Sequence, residues 1–186
     1  SENLAFDSRW YHLGLAEHYV AAGAIRRFPE GFYLASYPHM ASWLYTWAMS
    51  FPFFDLNARI LLAAHMEFLI FLATLAAVPL LVARLIPGRR VHGSWVVMFL
   101  FPGLFLYDSN LIVGADHILA FFAIPLALAT LRFVRQARAG RGAFFAMIMA
   151  GAAMTKAQAL YMVVTAGLAV AIAFAVRLWR REDVKN

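Results

Sequence analysis

The sequence contains no cysteine, so a disulfide framework and a thiolate metal site are both excluded for this chain. Acidic residues are also scarce, 10 against 16 Lys and Arg. In a soluble chain such a basic balance would favour nucleic acid. Here the basic residues flank apolar segments, so membrane topology explains them more simply and we expect no nucleic-acid partner.

Apolar residues are what the sequence has in excess. Hydrophobic residues make up 63% of the 186 positions and aromatic residues 16%, with a mean hydropathy of +0.70. This exceeds what a soluble domain of that length needs for one core. We therefore predict an all-α integral membrane protein. Internal repeats and low-complexity linkers are absent, so the boundaries follow from hydropathy alone.

About five membrane spans follow from residue 59 onward. The clearest is residues 60–83, which at about 1.5 Å per residue reaches roughly 36 Å, enough for a hydrocarbon core of about 30 Å. The others are less regular, and we expect long tilted helices with snorkelling arginines where the apolar run is short. They cover residues 93–107, 111–131, 142–154 and 157–176.

Basic clusters predict the orientation, because Lys and Arg accumulate in short cytoplasmic loops. Three clusters follow the first, third and fifth spans and lie on one side if the spans alternate: Arg84, Arg89 and Arg90; Arg132, Arg135, Arg138 and Arg141; Arg177, Arg180, Arg181 and Lys185. Seven of the acidic residues then fall on the opposite side: Glu2, Asp7, Glu17, Glu30, Asp55, Asp108 and Asp116. The acidic side is predicted to be extracytoplasmic, in a membrane of the bacterial inner or cell-membrane type.

Residues 1–58 form the first predicted domain, an extracytoplasmic loop with two interfacial helices at about 9–25 and 38–51. The apolar segment 37–54 is treated as interfacial because a full crossing there would invert every later basic cluster. An ordinary sixth crossing is the alternative. Residues 59–186 form the second domain, the transmembrane bundle, and we expect it to be part of a longer chain with a span just before Ser1.

Polar residues at the predicted outer boundary of the membrane are the candidate site. Asp7 lies near the start of the first loop helix, where it is either an N-cap or a functional carboxylate. Further along, "GADH" supplies Asp116 and His117, and "MTKAQ" supplies Lys156 and Gln158. A lysine can bind a phosphate and a carboxylate can accept a hydroxyl proton. His65 and Glu67, inside the first span, are expected to face a bundle interior or a partner helix.

Five short segments follow one another along the chain: "FDSRWYH" with an acid in the first outer loop, "SYPHMASWL", "LNARILLAAH", "GADHILAFF" and "AGAAMTKAQAL". In this order they resemble the membrane core of GT-C glycosyltransferases, of the protein-mannosyltransferase and aminoarabinose-transferase type. The resemblance implies a GT-C-like fold. It also implies a membrane enzyme that moves a hexose or pentose from a polyprenyl-phosphate donor to an acceptor hydroxyl, with inversion, at the extracytoplasmic face.

The resemblance also assigns roles. Asp7 would be the catalytic carboxylate that accepts the acceptor's proton or orients its hydroxyl. Lys156, with Arg26 or Arg27, would hold the donor phosphate. Tyr37, His39, Asp116, His117 and Gln158 would line the sugar and acceptor pocket. The partners would be membrane lipid, the lipid-linked sugar and an acceptor glycan, lipid or protein whose identity the sequence does not specify.

One departure from the family concerns metal. Many relatives have two adjacent acids in the first loop, whereas Asp7 is followed by Ser8. No metal is assigned, although a divalent ion held by Asp7, Asp116 and the histidines His12, His39 and His117 is an open alternative. No other cofactor is implied.

Two other functions fit a chain of this kind. A transporter or flippase of a lipid-linked substrate should form a continuous polar channel through His65 and Glu67. A noncatalytic membrane subunit should hold Asp7 and Lys156 far apart, with no shared pocket.

Overall fold

The computed structural model describes residues 8–26, 40–86, 88, 90–98 and 113–180. These residues are helical or form short connections, and none of them is in a strand. A π-helix at Ser8–His12 leads into α1 (Leu13–Ala22), followed by α2 (Met40–Met49) and α3 (Leu56–Leu85). Residues 93–98 are also helical. The chain continues with α4 (Asp116–Arg135), α5 (Ala139–Thr155) and α6 (Ala159–Trp179).

The N-terminal helices form a small layer of their own. Gly23 ends α1 with a positive φ of 62°, a left-handed conformation that glycine adopts without steric cost, and its N–H donates to the carbonyl of Val20. Leu13 and Ala16 of α1 belong to the same buried cluster as Tyr45 of α2. Helices were predicted at 9–25 and 38–51, so both are found, with α1 and α2 shorter than those ranges.

Helix α3 begins earlier than hydropathy suggests. The Asp55 carboxylate accepts a hydrogen bond of 2.8 Å from the Ala58 N–H, which satisfies one of the free amides of the first turn. Residues 56–59 are too polar to count as part of an apolar span, but they are compatible with a capped helix start. The helix continues through Pro79 to Leu85.

Helices α4, α5 and α6 are joined by short connections and pack on one another. At one end of this unit, the Lys156 ammonium beside α5 meets the start of α4. At the other end, an Arg177 Nη2 on α6 donates to the Arg135 carbonyl oxygen of α4 over 3.3 Å. Helix α4 also packs along α3, and α3 packs against α2. The start of α4 is therefore the place where the N-terminal layer, α3 and the end of α5 meet.

Three of the described helices are long and apolar enough to cross a membrane, namely α3, α4 and α6. This is consistent with an integral membrane protein. Helix α5 has 17 residues and is apolar over most of its length. The predicted number of about five spans and the layout of the extracytoplasmic loop stay predictions, and the predicted span 93–107 lies largely outside the described residues.

Candidate functional site

An ion pair marks the end of the bundle where α4 begins. Lys156 follows the last residue of α5 in an extended conformation, and its Nζ donates to Asp116 Oδ1 over 2.8 Å and to the Gly114 carbonyl oxygen over 3.0 Å. The Lys156 side chain is 11% exposed and the Asp116 side chain 64%. An ammonium has three donors. The third has no partner among the residues that the structure describes.

A carboxylate is buried next to this ion pair. Glu67 of α3 is only 2% exposed, and its Oε2 accepts a hydrogen bond of 2.6 Å from the Tyr45 hydroxyl. The same hydroxyl accepts a hydrogen bond of 3.2 Å from the Ala115 N–H. Ala115 has φ 68°, an uncommon conformation for a residue with a Cβ, so this turn is held in place by its contacts.

Tyr45 is held in its neutral form by this environment. Burial raises the pKa of the Tyr45 hydroxyl well above its usual value, and the neighbouring Glu67 carboxylate raises that pKa further. A neutral phenol with its acceptor side occupied by Ala115 must donate its proton. Tyr45 is therefore a fixed donor to Glu67.

His117 lies on the other side of the same carboxylate. Its Nδ1 is 3.5 Å from Glu67 Oε1, and Oε1 has no hydrogen-bond partner within the described part of the chain. The contact is thus an electrostatic approach rather than a formed hydrogen bond. The imidazole packs on Phe71 with ring centroids 4.8 Å apart, and its side chain is 15% exposed. The ring is therefore mostly buried between Glu67 and Phe71, and His117 follows Asp116 directly in the first turn of α4.

The start of the chain reaches this region through His12. His12 is buried, its Nδ1 lies 3.4 Å from Ser42 Oγ, and its ring meets Tyr45 edge to face at 6.2 Å between centroids. Ser8 is buried one turn earlier. The π-helix therefore packs over the helix that carries Tyr45.

Of the predicted site residues, Asp116, His117 and Lys156 are brought together at the start of α4. Gln158 is exposed and precedes α6 two residues after Lys156. Arg26 is exposed beyond the end of α1, next in sequence to Ile25, which lines an open groove of about 370 Å³ between α1 and α2. The predicted positions Asp7, Arg27, Tyr37 and His39 lie outside the described residues.

Two residues of the site were not predicted. Tyr45 occurs in an aromatic run, "SWLYTW", that resembles an interfacial belt, and Ser42 has no distinctive neighbours in sequence. The available signal was that Ser42 and Tyr45, three residues apart, share one helix face with apolar residues, because a hydroxyl on an apolar helix face needs a partner. Glu67 was expected to face the interior and is buried; His65 is exposed, with its Nδ1 against the Leu61 carbonyl oxygen at 2.7 Å.

Among the described residues, no group of three or more His, Asp or Glu side chains is placed to hold a metal ion. The metal alternative named Asp7, Asp116, His12, His39 and His117. Of the histidines, His12 contacts Tyr45 and His117 lies near Glu67, whereas Asp7 and His39 lie outside the described residues.

No protein-family model matches the chain, and no curated protein or solved structure is significantly similar to it.

Proposed function

We propose that the protein is a membrane glycosyltransferase that moves a sugar from a polyprenyl-phosphate donor to an acceptor hydroxyl at the extracytoplasmic face. The observation that carries the proposal is the Lys156 ammonium, held at a helix end with one N–H donor unpaired within the described part of the chain. The order of short segments that resembles GT-C glycosyltransferases supports it from the sequence.

Lys156 suits a lipid phosphate because of where its charge is held. The ammonium is mostly buried, so its field is less screened than that of a surface lysine. Its present anionic partner, Asp116, is largely exposed and is held by no other described hydrogen bond, so an entering phosphate can share the ammonium or displace the carboxylate. Asp116 is then available to accept hydrogen bonds from sugar hydroxyls.

The reaction needs no redox step. The acceptor oxygen attacks the anomeric carbon, the bond from that carbon to the phosphate oxygen breaks, and the polyprenyl phosphate leaves with the electron pair. Lys156 stabilises the charge that develops on the leaving phosphate. The hydroxyl proton passes to a base of the protein. By the resemblance, Asp7 accepts that proton or orients the hydroxyl.

Transport is less well supported than transfer. His65 and Glu67 are two residues apart on α3, one exposed and one buried, so they lie on different faces of the helix and do not line one path. The ionisable residues of the site are instead collected at one end of α4.

The test measures binding and turnover by the full chain in membranes. Labelled polyprenyl-phosphate-linked hexose and aminopentose are supplied, native membranes provide the acceptor, and released polyprenyl phosphate is measured. Lys156→Met is expected to weaken binding of sugar-free polyprenyl phosphate by about 10- to 100-fold, because a charge-assisted contact of about 1.5–3 kcal/mol is lost.

Two matched variants separate the ammonium from its surroundings. Asp116→Asn removes the competing carboxylate and keeps the cation, so it should bind the lipid phosphate at least as tightly as the wild type. Arg141→Met removes a cation near the start of α5, at the opposite end of that helix from Lys156, and should leave binding of the lipid phosphate unchanged. Equal binding by Lys156→Met and wild type, or no release of polyprenyl phosphate by the wild type, would refute the proposal.

A further inference from the structure

Tyr45 and His117 lie on the two oxygens of the buried Glu67 carboxylate, and the three residues form a polar chain. We propose that His117 is the base that takes the acceptor hydroxyl's proton, and that Glu67 is the positioning residue that sets its tautomer. The inference rests on the proposed sugar transfer and names the proton acceptor of that same site. Asp7 then has the orienting role that the resemblance also allows.

The two oxygens of the Glu67 carboxylate have different surroundings. Tyr45 donates to Oε2 because its own acceptor position is taken by the Ala115 N–H. The second oxygen, Oε1, is buried, has no described hydrogen-bond partner, and faces His117 Nδ1 at 3.5 Å. Leaving a carboxylate oxygen in this position is costly unless a proton donor faces it. The imidazole N–H is the donor at hand.

A proton on Nδ1 fixes the rest of the imidazole. The neutral ring then has its lone pair on Nε2, the nitrogen on the opposite side from Glu67. Phe71 packs on the ring and limits its rotation. The base is thereby oriented by a buried carboxylate, which is the arrangement used to activate hydroxyl nucleophiles in acyl transfer.

Among the described residues, titratable groups from α2, α4 and the end of α5 lie around the pair. Tyr45 faces Glu67 from α2, and Asp116 neighbours His117 on α4 with Lys156 paired to it. Lys156 and Asp116 neutralise each other in the resting protein. A lipid phosphate bound by Lys156 and the base His117 would then both belong to the end of the bundle where α4 begins.

The proton moves from the acceptor hydroxyl to His117 as the sugar is transferred. The acceptor O–H bond breaks as the new bond from that oxygen to the anomeric carbon forms, and the proton moves to Nε2 of His117. The imidazolium keeps its Nδ1 proton against Glu67, which stabilises the charge. The proton later leaves with solvent or with the released phosphate.

The first experiment reads the tautomer. Full-length protein labelled with ¹⁵N at histidine is reconstituted in lipid nanodiscs, and the His117 signals are identified by their loss in His117→Gln. The wild type should show the Nδ1–H form. In Glu67→Gln, Tyr45 still has to donate, so the amide oxygen turns to Tyr45 and the NH₂ group donates to Nδ1. The Nε2–H form should therefore appear.

The second experiment measures sugar transfer with the assay described above. His117→Gln should lower kcat by about 10²–10⁴-fold, the range of general-base contributions. Glu67→Gln should lower kcat by about 10²-fold or more through the wrong tautomer, with little change in KM for the donor. The double variant should have a kcat no lower than that of His117→Gln alone. His65→Gln, an exposed histidine two residues away on α3, is the control and should be silent.

The outcomes separate the two proposals. An Nε2–H tautomer in the wild type, or normal kcat in folded His117→Gln, overturns the inference while wild-type transfer keeps the proposed function. Transfer that collapses in Asp7→Asn but persists in His117→Gln assigns the proton to Asp7 instead and also overturns it. If Glu67→Gln does not fold, His117→Gln alone decides, because its side chain is partly exposed. A wild type that releases no polyprenyl phosphate refutes the transferase itself.

Discussion

The two ends of the α4–α5–α6 unit use their charged residues in different ways. At the end with Lys156, an ammonium pairs with a carboxylate, and a buried glutamate, a tyrosine and a histidine lie next to it. At the end with Arg135, guanidinium groups donate to carbonyl oxygens of helix ends, Arg177 to Arg135 and Arg141 to Arg132 over 3.3 and 3.4 Å.

The arginines at the Arg135 end act as helix caps, whereas the residues at the Lys156 end form the candidate site. Arginines that donate to the last carbonyls of a helix stabilise the helix end and complement its dipole, and need no ligand. They also suit the cytoplasmic face of a membrane protein. A buried acid facing an imidazole is costly to maintain for stability alone, so the end with Lys156 is the one that calls for a functional explanation.

The largest expected effect is on accessibility and tests whether the two ends lie on opposite sides of a membrane. The chain has no cysteine, so a single one can be introduced without interference. Ala157→Cys, beside Lys156, should react with an impermeant thiol reagent from outside intact cells. Gly140→Cys, at the start of α5, should react only after permeabilisation. The reverse labelling would overturn the orientation and the extracytoplasmic site.

The next effect is on stability at the Lys156 end. Tyr45→Phe leaves Glu67 Oε2 without its donor and the Ala115 N–H without its acceptor, both buried. We expect the free energy of unfolding to fall by about 2–3 kcal/mol, measured by denaturant unfolding in micelles. Tyr161→Phe, on an exposed tyrosine of α6, is the control and should change the value by about 0.5 kcal/mol or less. Equal effects of the two substitutions would show that the Tyr45 hydrogen bonds carry no stability.

A smaller effect compares helix packing at the two ends of α5. A Cβ added at Gly151 would lie 2.7 Å from Cε1 of Phe122, whereas one added at Gly142 would lie 3.1 Å from Cε2 of Phe133. Alanine gains up to about 1 kcal/mol in helix propensity, but overpacking costs about 1–3 kcal/mol. Gly151→Ala should therefore destabilise by about 1–2 kcal/mol and Gly142→Ala by less. A more stable Gly151→Ala would mean that Phe122 moves aside freely.

The smallest expected effect is a dependence on pH. Burial raises the pKa of Tyr45 well above the ordinary 10.0, so the folded protein keeps the proton that the unfolded chain releases. The contribution is complete below about pH 10 and is lost as the pH rises from there toward the raised value, by at most about 1.4 kcal/mol per pH unit. Between pH 9 and 11 the wild type should lose about 1 kcal/mol more than Tyr45→Phe. An identical loss in both proteins would contradict a buried neutral Tyr45.

The helices were largely predictable from the sequence, because apolar run length and turn residues are local signals. The first loop helix was predicted to run to about residue 25, whereas α1 ends at Ala22, just before Gly23. The predicted span began at residue 60, whereas α3 begins at Leu56. Hydropathy does not detect polar residues in the first turn of a helix, which the Asp55 cap stabilises here. The end of α4 was placed at residue 131 rather than Arg135 for a similar reason, because arginine is a good helix former but ends an apolar run.

The residues of the candidate site were predictable from the sequence only where polar residues interrupt an apolar run. Asp116, His117 and Lys156 stand out in this way. Tyr45 does not, because its partners Glu67 and Ala115 are 22 and 70 residues away and nothing local indicates them. The sequence likewise gives no sign that His65 and Glu67 differ in burial, because that depends on which face of α3 meets α2 and α4.

The peptide group between Gly114 and Ala115 serves both halves of the site. Its carbonyl oxygen accepts from Lys156 and its N–H donates to Tyr45. The described chain has no cis peptide bond, so these two groups point in opposite directions from one rigid plane. A single peptide group thus separates the Lys156–Asp116 ion pair from the buried Glu67 carboxylate. Glu67 is thereby joined to the Lys156 site through the Tyr45 hydroxyl and this one peptide group, while His117 approaches Glu67 from the first turn of α4.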